Sequence, residues 1–253
     1  MCVYNLYFSP TGGTKKVMDA LTKPLGKIQE IDLSDNGRDN TIYAFHQEDV
    51  CFIGVPSFGG RVPQIALDRL REMRGNGAKA VLAAVYGNRD YEDTLLELKD
   101  TAEECGFFVI AAVTAVAEHS IVRAYGKGRP DAADQKELRG FSEKIEMLLR
   151  RADVPRLVNV PGKRPYRPYG GVPMKPIAGD SCVKCGLCAK KCPVGAILWE
   201  NPSQTDQELC ISCMRCISVC PAKARGLNPA ALEIAAENLK EKCAGRKQNE
   251  FFC

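Results

Sequence analysis

Residues 182–193 read CVKCGLCAKKCP and residues 210–221 read CISCMRCISVCP. Both spell C-x2-C-x2-C-x3-C-P, and every cysteine of the first run recurs 28 positions later. A cubane iron–sulfur cluster needs four thiolates arranged tetrahedrally. Two-residue spacings aim three sulfurs of one tight loop at a common centre, while the fourth cannot curl back and serves the neighbouring cluster. The reading is therefore two [4Fe–4S] clusters, one on Cys182, Cys185, Cys188 and Cys220, the other on Cys210, Cys213, Cys216 and Cys192. The proline after each fourth cysteine turns the chain. Gly186 and Gly195 are expected where side chains would crowd a sulfur. Zinc is the competing reading, since C-x2-C pairs also form zinc knuckles; zinc sites seldom add a third cysteine at that spacing and then repeat all four.

Outward from this repeat, the rest of the chain is ordinary. Its 253 residues are 45% hydrophobic and 26% charged, which excludes disordered and low-complexity classes. The other five of the 13 cysteines have no ligand-like spacing. Cys2, Cys51 and Cys105 read as small core residues, and Cys253 as a free thiol on a polar tail. The start MCVYNLYFSP has no signal-peptide character. The longest uncharged apolar stretch, 105–117, is too short to span a bilayer. A cytoplasmic protein without membrane insertion is expected, with cysteines serving metals rather than disulfides.

Charge and proline divide the chain. Residues 1–150 carry a net −3 and residues 151–253 a net +7. Between them, Pro155–Pro176 holds six prolines with Lys163, Arg164, Arg167 and Lys175. It reads as an extended, semi-rigid connector whose cations are solvated. The expected organisation is an α/β domain over 1–152, a connector over 153–176, a small α+β two-cluster domain over 177–228, and a terminal helix and tail over 229–253. In the last of these, Leu232, Ala235, Ala236 and Leu239 recur at helical spacing on a face that docks. The basic excess of the second half is expected to offset cluster charge, so no nucleic-acid partner is inferred.

The first half alternates apolar runs with amphipathic segments. Strands are expected at Val3–Phe8, Lys27–Ile31, Val50–Val55, Ala80–Val85 and Phe107–Val116, and helices at Thr14–Leu25, Pro63–Gly75, Tyr91–Cys105 and Ala132–Arg150. Strands that are apolar throughout belong to a parallel sheet covered on both faces, hence a doubly wound fold. Ligands of such folds sit beyond the carboxyl ends of the strands. The loop after the first strand, Ser9-Pro10-Thr11-Gly12-Gly13-Thr14, offers small residues and free amides at a helix start, which suits a phosphate. A hydroxyl-rich helix cap is the plainer alternative.

S-P-T-G-G-T after an N-terminal strand resembles the flavodoxin phosphate loop. That resemblance implies a five-stranded parallel sheet of order 2-1-3-4-5 and FMN, with its phosphate on Ser9, Thr11, Gly12, Gly13 and Thr14. Two further loops fall where flavodoxins hold the flavin ring: Pro56, Ser57, Phe58, Gly59 and Gly60 after the third strand, and Tyr86, Gly87, Asn88, Asp90 and Tyr91 after the fourth. The resemblance implies that Phe58 and Tyr91 flank the ring and that the Gly59–Gly60 peptide can flip toward it. His119, near the ring's expected rim, reads as a solvated loop residue, and Trp199 as packing within the cluster half.

The cysteine half resembles bacterial two-cluster ferredoxins over about Ile177–Leu227. The whole chain resembles the fused flavodoxin–ferredoxin proteins called EFR-type. The resemblance implies a soluble electron-transfer protein that exchanges electrons among two [4Fe–4S] clusters, FMN and low-potential redox partner proteins, a setting of anaerobic metabolism. An FMN-dependent reductase of a small acceptor, fed by its own clusters, is the alternative, and a redox sensor a weaker one. The oligomeric state is left open.

Overall fold

A computed structural model describes residues 1–151 and 157–253. Residues 152–156, where the predicted connector begins, lie outside the described residues. In chain order the first half contains β1 (Val3–Tyr7), α1 (Gly13–Thr22), β2 (Ile28–Asp32), β3 (Val50–Pro56), α2 (Gln64–Arg71), β4 (Lys79–Tyr86), α3 (Thr94–Glu104), β5 (Phe108–Val116) and α4 (Ala132–Arg150). The second contains β6 (Ile177–Ala178), α5 (Leu187–Lys190), α6 (Arg215–Ser218), β7 (Arg225–Gly226), α7 (Pro229–Leu239) and β8 (Glu250–Phe252).

Strands β1 to β5 pair in parallel in the order β2-β1-β3-β4-β5, the flavodoxin-like order. Every residue of β4 after Lys79 is buried, as expected for a strand covered on both faces. One face packs Val17, Met18 and Leu21 of α1 with Leu138, Phe141 and Ile145 of α4. The other packs Ala66, Leu67 and Leu70 of α2 with Leu95, Leu98 and Ala102 of α3. Gly54 in β3 is needed for this closeness, since a Cβ there would collide with the Met18 side chain. Helix α4 starts at a capping box, with Asp131 Oδ1 accepting from the Ala133 and Asp134 amides.

Several expectations change. Helix α1 ends at Thr22 and gives way to a 3-10 turn, Lys23–Leu25, because Pro24 cannot supply a helical N–H. The tail is not a polar appendage. β8 adds a sixth strand antiparallel to β5, pairing Phe252 with Ala112 and Glu250 with Thr114, and Phe251 packs on Phe141 at 5.5 Å. Cys2 is exposed, whereas Cys51 is buried as expected.

The connector's cations are not free in solvent either. Arg164 pairs with Asp100 and Arg167 with Glu92. Asp93 accepts from the amides of Lys163 and Arg167 at 2.9 and 2.7 Å, and Val158 is buried in the core beneath. The acidic excess of the first half thus holds the basic connector along α3. Helix α7 turns its predicted face inward: Leu232, Ala235, Ala236 and Leu239 are half-buried, and Tyr125 Oη donates to Ala236 O at 2.6 Å.

The cluster half sits over the carboxyl edge of the sheet. Arg69 of α2, itself buried, donates to Leu33 O, Asn36 Oδ1 and Pro193 O at 2.5, 3.1 and 2.6 Å. Arg215 lies 3.5 Å from Asp32, and Ser218 Oγ contacts Pro10 O at the same distance.

The tail is locked by a buried ion pair. Arg129 Nε donates to Asp134 Oδ2 at 2.8 Å, and Asn249 Nδ2 donates to Asp134 Oδ1 at 3.0 Å. Burial pushes the Asp134 carboxyl up, but the bonds from Arg129, the Asp131 amide and Asn249 outweigh it and hold it below the usual range. Asp134→Asn is expected to cost about 3–5 kcal/mol at pH 7 by leaving Arg129 unpaired. Since the folded pKa is depressed, the stabilisation is complete above the unfolded value of about 4 and lost as pH falls through the lower folded one. Urea unfolding of both proteins at pH 7 and pH 3 checks this: the gap narrows at pH 3.

Candidate functional site

The two cysteine runs fold alike. Lys184, Gly186 and Gly195 have positive φ (52°, 75°, 68°), and so do Ser212, Met214 and Lys223 (54°, 62°, 50°), each 28 positions on. Gly186 and Met214 start the single-turn helices α5 and α6, and the Ala196 and Ala224 amides donate to Cys192 and Cys220 Sγ at 3.2 and 3.3 Å. Gly186 and Gly195 supply left-handed turns, and a Cβ on Gly186 would strike the Trp199 ring at 2.9 Å.

Cys182, Cys185, Cys188 and Cys220 line one cavity; Cys192, Cys210, Cys213 and Cys216 line a second. The fourth cysteine of each run is thus exchanged between the two cavities. Among the described residues no three His, Cys, Asp or Glu side chains form a group for a single metal ion. Burial pushes the Cys213 thiol up to about 12 and that of Cys216 to about 11. Thiolates there need a metal's charge beside them, so metal loading must release protons.

At the carboxyl edge of the sheet, Ser9, Thr11, Gly13 and Thr14 line a cavity of about 60 Å³ with Pro56, Ser57, Phe58, Tyr86 and Gly87. Gly12 caps α1 at φ 89° with open space at its Cβ position and no side-chain cap bond of its own, so the first amides of the helix, ahead of Lys15, suit an anion. Ser9 has structural bonds as well: its Oγ accepts from the Lys15 amide at 2.9 Å, and its own amide donates to Ser34 Oγ at 2.7 Å. A cavity of about 190 Å³ shares Ser57, Phe58, His119 and Ser120 and adds Gly59, Tyr169 and Met174. Gly59 and Gly60 form a two-residue hairpin turn at φ 61° and 86°, closed by mutual Phe58–Arg61 bonds.

Asn88, Asp90 and Tyr91 line neither cavity. Asn88 donates to Cys243 O and Gly245 O at 2.8 and 2.9 Å. Asp90 accepts from the Glu92 amide at 2.8 Å. Tyr91 packs edge-on against Tyr86 and donates to Glu250 at 2.8 Å. The aromatic that joins Phe58 is Tyr169 of the connector, and Gly59 is required beneath its ring, 2.5 Å from a Cβ there.

His119 is not a solvated loop residue. Its Nδ1 accepts from the Ile121 and Val122 amides at 3.2 and 3.0 Å, and its ring abuts Gly87. Burial, with Arg89 nearby, lowers its pKa to about 4, so it is neutral at pH 7 with its proton on Nε2. Sequence reasoning had no means to find Tyr169, because only the connector's path brings it to the loop.

Cys213 belongs to both regions, since it lines one thiol cavity and also the cavity of the phosphate loop. Free amides at a helix start, aromatic faces and a glycine turn are the groups a flavin mononucleotide would use, so the residues fit that cofactor.

The 4Fe-4S dicluster domain family matches residues 181–224. The chain is 40% identical over 55 residues to one component of the ion-translocating oxidoreductase complex of Methanosarcina acetivorans, a match covering 21% of each. It thus spans about a fifth of that relative's length. Among solved structures, a flavodoxin from the domain Archaea aligns over 60% of this chain and 100% of its own at 15% identity, TM-score 0.44. Flavodoxin 1 from Bacillus cereus aligns over 58% and 98% at 16% identity, TM-score 0.43. From its sheet order and its matched cysteine region, the chain carries an N-terminal flavodoxin-like domain followed by a 4Fe–4S dicluster ferredoxin domain, which implies two [4Fe–4S] clusters and suggests electron transfer.

Proposed function

We propose that this protein passes electrons between external redox partners and FMN through two [4Fe–4S] clusters held by the two crossed cysteine sets. The observation that carries the reading is Cys213, shared by a thiol cavity and the phosphate-loop cavity. Cys220 of the other set lines a further cavity with Thr11 and Gly13, so both thiol sets adjoin the phosphate loop, which supports transfer between the clusters and the flavin. When bound, FMN exchanges one or two electrons and each cluster one, so the pair converts between the two stoichiometries. The chain's own part is position. The start of α1 holds the phosphate, Phe58 and Tyr169 hold the ring, and Arg69 fixes the cluster half against the loops.

The carrier reading is favoured over a reductase because the ring-side cavity is walled by Tyr169, Val172, Met174 and Leu239. Val172, Met174 and Leu239 offer no acid to a substrate, and His119 keeps its Nε2 proton at neutral pH. No helix among the described residues is long and apolar enough to cross a membrane.

Anaerobically purified protein is expected to contain about eight irons, about eight sulfides and about one FMN per chain. Thr11→Glu, which places a carboxylate at the phosphate position on an exposed residue, should weaken FMN binding at least about ten-fold by repulsion while leaving the iron intact. Flavin retained at wild-type affinity would remove the phosphate-loop assignment. The crossing has its own test. Cys182→Ser and Cys220→Ser should each damage the same cluster and leave one common electron paramagnetic resonance signal. Cys192→Ser should leave the other.

A further inference from the structure

Two residues, His119 and Ser120, line all three cavities at the carboxyl edge of the sheet: the one at the phosphate loop, the one bounded by Phe58 and Tyr169, and a larger one of about 440 Å³ that reaches Cys220. The hydroxyl of Ser120 can turn to suit any neighbour. The imidazole of His119 is held. Its Nδ1 is taken up as acceptor of the Ile121 and Val122 amides, which leaves the proton on Nε2. Gly87 packs so closely on the ring that a Cβ there would lie 2.6 Å from Cδ2. Nε2 itself has no partner among the described residues and is not sealed by packing, so it opens onto these cavities.

The character of this donor narrows what it can serve. Burial, with Arg89 nearby, lowers the pKa of His119 to about 4, so the donor is neutral at pH 7. Arg89, the other charged side chain at the ring-side cavity, is engaged by Glu92 at 3.1 and 2.6 Å. A phosphate is already offered the first amides of α1. A neutral N–H beside Val122, Val172 and Met174 suits instead an uncharged heteroatom of a ring. The sugar chain of FMN leaves its ring beside N1 and O2. A ring in one cavity joined to a phosphate in the next therefore presents those two acceptors at the junction that His119 lines.

We propose that His119 is a flavin contact whose Nε2–H donates to the N1 and O2 side of the FMN ring and favours the reduced ring over the oxidised one. The inference rests on the FMN reading in the proposed function. Two electrons from the clusters, with one proton from solvent on N5, turn the ring into an anion whose charge sits at N1 and O2. A hydrogen bond to a charged acceptor is stronger than one to a neutral acceptor. A donor fixed at that edge thus stabilises the reduced ring more.

The test is an anaerobic redox titration of the whole protein read at the flavin absorbance, with FMN and iron assayed on the same samples. His119→Asn keeps an acceptor where Nδ1 stands, so the bonds from Ile121 and Val122 survive, but its amide falls short of the Nε2 position. It should lower the reduction equilibrium of the flavin about ten-fold, which is about 30 mV for a two-electron couple. His119→Gln gives up the Nδ1 acceptor, places an amide N–H near the Nε2 position and should give a smaller drop. Full flavin and iron in His119→Asn with the flavin potential unmoved would overturn the contact. Should that variant not retain flavin, the glutamine variant decides: a smaller drop upholds the contact, and a full ten-fold drop or loss of the flavin overturns it. Wild-type protein that neither holds nor takes up FMN would instead defeat the underlying reading.

Discussion

The arrangement depends on one buried charge. Arg69 leaves the core-facing side of α2, yet its three bonds end on Leu33, Asn36 and Pro193, so a single guanidinium joins the loop after β2 to the proline that follows Cys192. Hydrogen bonds from a charged donor contribute about 1.5–3 kcal/mol each when buried. A guanidinium is suited to this because its fork reaches several acceptors at fixed angles. The contact also decides which part of the cluster half meets the sheet. With Pro193 anchored and Arg215 drawn to Asp32, Cys213 and Cys220, one from each thiol set, line cavities with the loop after β1.

The connector imposes a second constraint. Its arginines pair with Glu92 and Asp100, and its backbone binds Asp93, so it runs along α3 as a fixed strap. Tyr169 reaches Gly59 for that reason. The charge asymmetry between the halves of the chain is explained in part by this contact, because connector cations meet first-domain acids. Compensation of cluster charge needs fewer of the basic residues than composition alone suggested.

Much of the site was legible because it depends on local spacing. The thiol sets follow from the two-residue spacings and the repeat, since a short loop can aim sulfurs only one way. The parallel strands follow from continuous apolar runs, and the phosphate loop from small residues between a strand and a helix. Asn88, Asp90 and Tyr91 read as flavin contacts because they follow the right strand. In the folded chain Asn88 and Tyr91 bind residues 243–250 instead, contacts more than 150 positions away in sequence.

By itself the sequence determined the α/β order of the first half, the duplicated cysteine runs and the placing of each fourth cysteine with the other run, because periodicity, spacing and turn chemistry act over a few residues. Only the tertiary structure decided that β8 closes the sheet, that Tyr169 rather than Tyr91 accompanies Phe58, that His119 is held neutral, and that Cys213 and Cys220 line cavities with the loop after β1. Each of these requires groups far apart in the chain to meet. The meeting is governed by arginines whose partners, the carboxylates Asp100, Glu92 and Asp134 and the carbonyls of Leu33 and Pro193, lie far from them in the chain.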